Sequence, residues 1–81
     1  EPENLWGMVR TGEFLTRRGR PAEAVPLFSR ALDRLPQLAP ARSLLGVALR
    51  NLGQERQAVQ EFRRALSLDP CEPMALEELG G

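Results

Sequence analysis

The chain is 81 residues long, room for one small domain, and a domain of that size buries only about 60% of the surface its unfolded chain exposes. Eleven arginines stand against eleven acidic residues for a formal net charge of zero, which excludes a long-range field steering the whole molecule to nucleic acid or to an anionic membrane. With no histidine, a lone cysteine (Cys71) and no apolar run near the roughly 20 residues that span a bilayer, the sequence excludes a transition-metal cluster, an internal disulfide, a Cys/His or Ser/His/Asp catalytic set and a membrane-spanning helix.

In chain order, a first helix is predicted over residues 4–18, closed by a turn at Gly19-Arg20, and a second over residues 21–34. Pro21 suits the opening position of that second helix, where a missing N–H costs nothing. Pro26, further in, removes a backbone hydrogen bond, and the sequence predicts a tilted or loosened first turn there. A third helix follows over residues 39–53, where Leu45, Ala48, Leu49 and Leu52 recur at helical spacing and so fall on one stripe. It stops at Gly53. Residues 54–68 repeat the pattern with Ala58, Val59, Phe62, Ala65 and Leu66 and end at Asp69-Pro70, which predicts a fourth helix antiparallel to the third. Residues 73–81 begin a fifth with Met74, Leu76 and Leu79.

These elements are copies of one another. Gly12, Gly46 and Gly80, like Pro2, Pro36 and Pro70, recur at an interval of 34 residues (46 − 12, 36 − 2). The copies 5–38 and 39–72 also agree at Leu15/Leu49, Gly19/Gly53, Ala24/Ala58, Val25/Val59, Phe28/Phe62, Arg30/Arg64, Ala31/Ala65 and Leu32/Leu66. A period in this range signals a stacked array in which each unit buries its apolar face only against its neighbours. The expected organisation is one repeat domain over residues 1–81, with units at 5–38 and 39–72 and a partial third unit or capping helix at 73–81. Glu1-Pro2 stands in phase with Asp69-Pro70, so the array is expected to be excised from a longer chain and to continue on the N-terminal side.

The pattern closely resembles the tetratricopeptide repeat, a helix–turn–helix unit of this length, over nearly the whole chain. The residues that carry the resemblance are a small residue at the helix crossing (Gly12, Gly46, Gly80), a large one after it (Leu15, Leu49), and the runs Ala24-x3-Phe28-x2-Ala31 and Ala58-x3-Phe62-x2-Ala65 before the closing proline. Glycine and alanine let two backbones approach while the bulky residues fill the spaces between successive pairs. The early aromatic of the family is replaced by Met8, Arg42 and Leu76. Arg42 is expected to weaken one packing position. The resemblance implies an all-α helix–turn–helix repeat solenoid, five antiparallel helices in a right-handed superhelical stack. A pentatricopeptide repeat, the RNA-binding relative, fits less well because its unit is usually longer.

On a wheel of about 100° per residue, Trp6, Arg10, Glu13 and Arg17 share the face of the first helix that lies away from its core stripe. Pro40, Leu44, Val47 and Asn51 share it on the third helix, and Met74 and Glu78 on the fifth. The resemblance implies that this face lines a concave groove holding an extended peptide or a helix. Trp and Arg are the types enriched at binding hot spots. Plainer readings stay open beside this one: Arg10, Glu13 and Arg17 as self-paired charges on a solvated helix, Leu44 and Val47 as residues covered by a neighbouring segment, and Trp6 as packing for a preceding unit. Glu23, Asp33, Arg34, Arg56, Glu61, Arg63 and Arg64 read as a solubilising outer face, and Cys71 as turn filler.

The expected function is a protein–protein interaction scaffold or adaptor, not an enzyme, with no cofactor or metal, no nucleic-acid partner and no membrane insertion; the cytoplasm is the favoured compartment. Two alternatives are a targeting or assembly segment of a larger multidomain enzyme or of a secretion or envelope complex, and a self-association module. The clamp with which some relatives hold a free C-terminal carboxylate would fall on Val9, Glu13, Leu44, Met74 and Glu78, none of which suits it, so that mode is not expected. At the ends, Leu76 and Leu79 are expected to turn onto Val59 and Phe62 with Glu77 and Glu78 toward water. Leu5, Trp6 and Met8 are expected to be partly bare, so that homo-oligomers form through the repeat ends.

Overall fold

In the computed structural model, which describes residues 4–79, five α-helices follow one another: α1 (Leu5–Arg17), α2 (Pro21–Arg34), α3 (Ala39–Asn51), α4 (Glu55–Leu68) and α5 (Pro73–Glu78). Pro2 and Gly80, the outer members of the sequence pattern, lie outside the described residues. Asn4 opens α1 by accepting a hydrogen bond from the Gly7 N–H at 2.8 Å, which satisfies one of the amides the first turn leaves without a helical acceptor. The helix ends at a glycine in the left-handed region, Gly19 with φ 80°. There the Arg20 N–H reaches the Leu15 carbonyl at 2.8 Å and the Gly19 N–H the Thr16 carbonyl at 3.1 Å, the double closure of a Schellman motif. α3 ends the same way, with Gly53 at φ 84° and Gln54 N–H bonded to Leu49 O at 2.9 Å. α2 and α4 stop instead because Leu35 and Asp69 precede prolines, which push them toward extended backbone.

Within each pair the helices cross at a glycine. A Cβ placed on Gly12 would lie 2.7 Å from the Phe28 ring, and one on Gly46 2.7 Å from the Phe62 ring. Each ring therefore rests on bare backbone, and both phenylalanines are buried. The core continues between the pairs through Ala24, Ala31, Leu32, Leu45, Ala48, Leu49, Ala58, Ala65 and Ala75. α2 packs on α3 as well as on α1, whereas α2 and α4 do not touch. The odd helices do touch in turn, α1 on α3 and α3 on α5. One side of the array is thus closed by neighbouring odd helices while the even helices splay apart on the other.

Several expectations change. α2 runs unbroken through Pro26, which is exposed and has no N–H to give the Ala22 carbonyl. Arg42 is no mere packing defect: its guanidinium donates to Glu61 at 3.1 Å and to the Pro36 carbonyl at 3.2 Å. Glu61, which the sequence places on a solvated face, is accordingly buried, and its other oxygen accepts from Arg64 at 3.0 Å. Leu52, assigned to the core stripe, follows the last turn of α3 as its C-terminal cap and is 39% exposed. In α5 it is Ala75 that is buried, while Leu76 and Leu79 stay exposed and Glu78 turns onto Arg50 of α3. The buried partner of α3 at this joint is Glu72: its Oε2 accepts from Ser43 Oγ at 2.5 Å and from the Ala75 N–H at 2.7 Å, so one carboxylate caps α5 and ties it to α3.

Candidate peptide-binding face

The nine residues singled out from the sequence all lie on odd helices, on three neighbouring segments that line the closed side of the array. They differ in what they can offer a ligand. Trp6 is exposed over more than half its surface, Arg10 and Asn51 are exposed, and Val47 and Met74 are half-buried against the core. Leu44 is buried, because both α1 and α2 pack onto α3; it belongs to the core and supports the face from beneath. Glu13 and Arg17 pair with each other at 2.9 Å across one turn of α1. At side-chain exposures of 33% and 76% that pair is worth only a few tenths of a kcal/mol, so a ligand carboxylate or guanidinium can displace either partner at small cost. Glu78 is held more firmly: its ion pair with Arg50 crosses from α5 to α3 and fixes α5 against its neighbour.

Chemically, the face is a strip of aliphatic surface (Val47, Met74) with an aromatic at one end and polar groups along its edges. Among the described residues no group of acidic side chains, cysteine or histidine could hold a metal ion. No described helix is long and apolar enough to cross a membrane.

Sequence reasoning passed over two features. Phe14 is 58% exposed, with the Arg18 guanidinium 5.4 Å from its ring centre. The signal was available, because the position 34 residues later holds Ala48, which is completely buried. The Ser43–Glu72 link could not be read from periodicity, since Val9 stands at the first copy of Ser43's position and Leu38 at that of Glu72.

Comparison with known proteins agrees with this architecture. Residues 15–75 match a family model described as tetratricopeptide repeat. Among curated proteins, the chain is 38% identical over 81 residues to the Protein CTR9 homolog of Arabidopsis thaliana, and 32% identical over 76 residues to the Peroxisomal targeting signal receptor of Eremothecium gossypii. The aligned segments take in 98% and 94% of this chain but only 7% and 13% of those relatives.

Proposed function

Because this chain belongs to the tetratricopeptide repeat family, a protein-interaction repeat, we propose that it holds an extended peptide or a helix of a partner protein along the side lined by α1, α3 and α5. The observation that carries this reading is the packing asymmetry, odd helices in contact and even helices apart, which makes one side of the array a continuous surface. Trp6 and Arg10 would grip one end of the ligand, Val47 and Asn51 its middle, Met74 the far end. Glu13 and Arg17 would serve through the exchange of their weak internal pair, Glu78 by holding α5 against α3, and Leu44 by backing the strip. One relative is by its name a receptor for a targeting signal, and that supports a ligand which is a signal-bearing segment of another protein. The lone exposed Cys71 accords with a reducing compartment, the cytoplasm first.

A peptide array probed with wild type and with a Val47→Arg/Met74→Ala variant tests the proposal. Both residues lie in the middle and far part of the strip, so capture should fall at least tenfold, the loss of one hot-spot contact of about 1.4 kcal/mol. Equal capture by the folded variant removes the assignment. A second reading, assembly segment of a larger protein, draws support from the small share of each relative that the chain spans; it places the same face in contact with another part of the parent chain.

A further inference from the structure

Trp6, Arg10, Phe14 and Arg18 follow one another four residues apart on α1 and its C-terminal cap. Four residues turn a helix through about 400°, so each side chain stands about 40° round from the last and the four form one slanting ridge. All are exposed. Aromatic ring and guanidinium alternate along the ridge, and Arg18 already lies over the face of Phe14. Among the described residues neither Arg10 nor Arg18 enters an ion pair, because Glu13, the one acidic residue of α1, is taken by Arg17. Among the described residues the ridge therefore carries two positive charges without an acidic partner, Arg10 between the two aromatic rings and Arg18 beyond Phe14.

The molecule contains a second copy of this ridge, on α3: Pro40, Leu44, Ala48 and Leu52. There Leu44 and Ala48 are buried in the core that α3 shares with its neighbouring helices, so a ridge at this position is one that packed helices can cover. The α1 copy is built for a different contact. A helix approaching it as α2 approaches α3 would meet the Phe14 ring where α3 offers only the methyl of Ala48, and would bury Arg10 and Arg18 where α3 offers leucines. Close apolar stacking between successive units does not suit those side chains; a wider contact with anionic groups does.

We infer that the Trp6–Arg10–Phe14–Arg18 ridge docks an acidic amphipathic helix supplied by another protein. Two carboxylates of that helix, about eight residues or 12 Å apart, pair with Arg10 and Arg18, and an apolar side chain between them packs on Phe14. The ridge shares Trp6 and Arg10 with the strip of the proposed function and adds Phe14 and Arg18, which lie outside it.

Trp6 is the chain's single tryptophan, so its fluorescence reports on the ridge without a label. The probe is a synthetic helical peptide with two glutamates eight residues apart and leucines on the turn between them. Controls are the same peptide with lysines for the glutamates, and a single-stranded oligouridylate. The glutamate peptide should give a saturable shift in Trp6 emission that the lysine peptide does not. Arg18→Glu should weaken it roughly fivefold and Phe14→Ala roughly tenfold. Both substituted positions are exposed, and circular dichroism checks that the variants keep the wild-type helicity. Val47→Arg should leave the affinity unchanged, which separates this result from the fate of the proposed function. The inference is overturned if the lysine peptide binds equally, if Phe14→Ala and Arg18→Glu bind like wild type, if Val47→Arg abolishes binding, or if the oligouridylate binds more tightly than the peptide. It is overturned too if Trp6 emission shifts with protein concentration alone, because the ridge is then occupied by a second copy of the chain.

Discussion

The helix pairs α1–α2 and α3–α4 have the same lengths and the same glycine-on-phenylalanine crossing, yet they solve one position in opposite ways. Where the first pair has Met8 and Leu27, both half-buried, the second has Arg42 and Glu61, joined by an ion pair and tied to the Pro36 carbonyl and to Arg64. The crossing needs one geometry and so repeats. The flanking position needs only a filled volume, whether by two apolar side chains or by two charged ones that satisfy each other.

The shared part of that comparison carries the largest expected effects. Phe28→Ala and Phe62→Ala each empty a fully enclosed site above a glycine, and each should cost about 3–5 kcal/mol, a large share of the 5–15 kcal/mol typical of a folded domain. Urea denaturation of the two variants should give losses within about 1 kcal/mol of each other, since each ring fills the same kind of enclosed site above a glycine. A far greater loss at Phe62 would mean that the more central place of its pair in the stack, not the crossing itself, sets the energy.

The divergent part yields a sharper test through a double-mutant cycle. Glu61→Leu alone leaves the Arg42 guanidinium largely enclosed, at 18% side-chain exposure, with only the Pro36 carbonyl to accept from it, and should cost about 2–3 kcal/mol. Adding Arg42→Met recreates the chemistry of the first pair. The double variant should return to within about 1 kcal/mol of wild type. If it stays as unstable as the single variant, the charged pair has shaped its surroundings and the two pairs are not interchangeable.

Helices, turns and crossings were legible because each follows from a local rule with a short reach: glycine after a helix, proline before one, small residues opposite an aromatic. Burial was less legible. Whether a position on the stripe is covered depends on which helices lie beyond it, and so Leu52 and Leu76 came out exposed and Leu44 buried. Polar pairs that join distant positions were the least legible. Glu61 looks like any surface carboxylate until Arg42, 19 residues earlier, is brought against it, and Glu72 looks like a turn residue until Ser43 is placed beneath it. Of the candidate face, the pairing of Glu13 with Arg17 was readable from its one-turn spacing, while that of Glu78 with Arg50, which joins two helices, had to come from three dimensions.

The smallest expected effect concerns the one helix interior where the two pairs differ in backbone chemistry. Pro26 in α2 corresponds to Gln60 in α4; both are exposed, and both helices run for 14 residues. Since the helix continues through Pro26, replacing it with glutamine requires no rearrangement and restores the donor that the Ala22 carbonyl lacks. The full penalty of an interior proline is about 3 kcal/mol. Here it is reduced, because the site lies only one turn beyond the start of the helix and Ala22 and Pro26 are both exposed. Pro26→Gln should therefore stabilise the chain by about 1–2 kcal/mol, a rise in Tm of about 4–8 °C for each kcal/mol in a domain of this size. Gln60→Pro should lower it by a similar amount. An unchanged Tm in Pro26→Gln would mean that hydration of the Ala22 carbonyl already replaces the helical bond in full, and an asymmetric response of the two variants would show that the second turns of α2 and α4 are not under the same constraint.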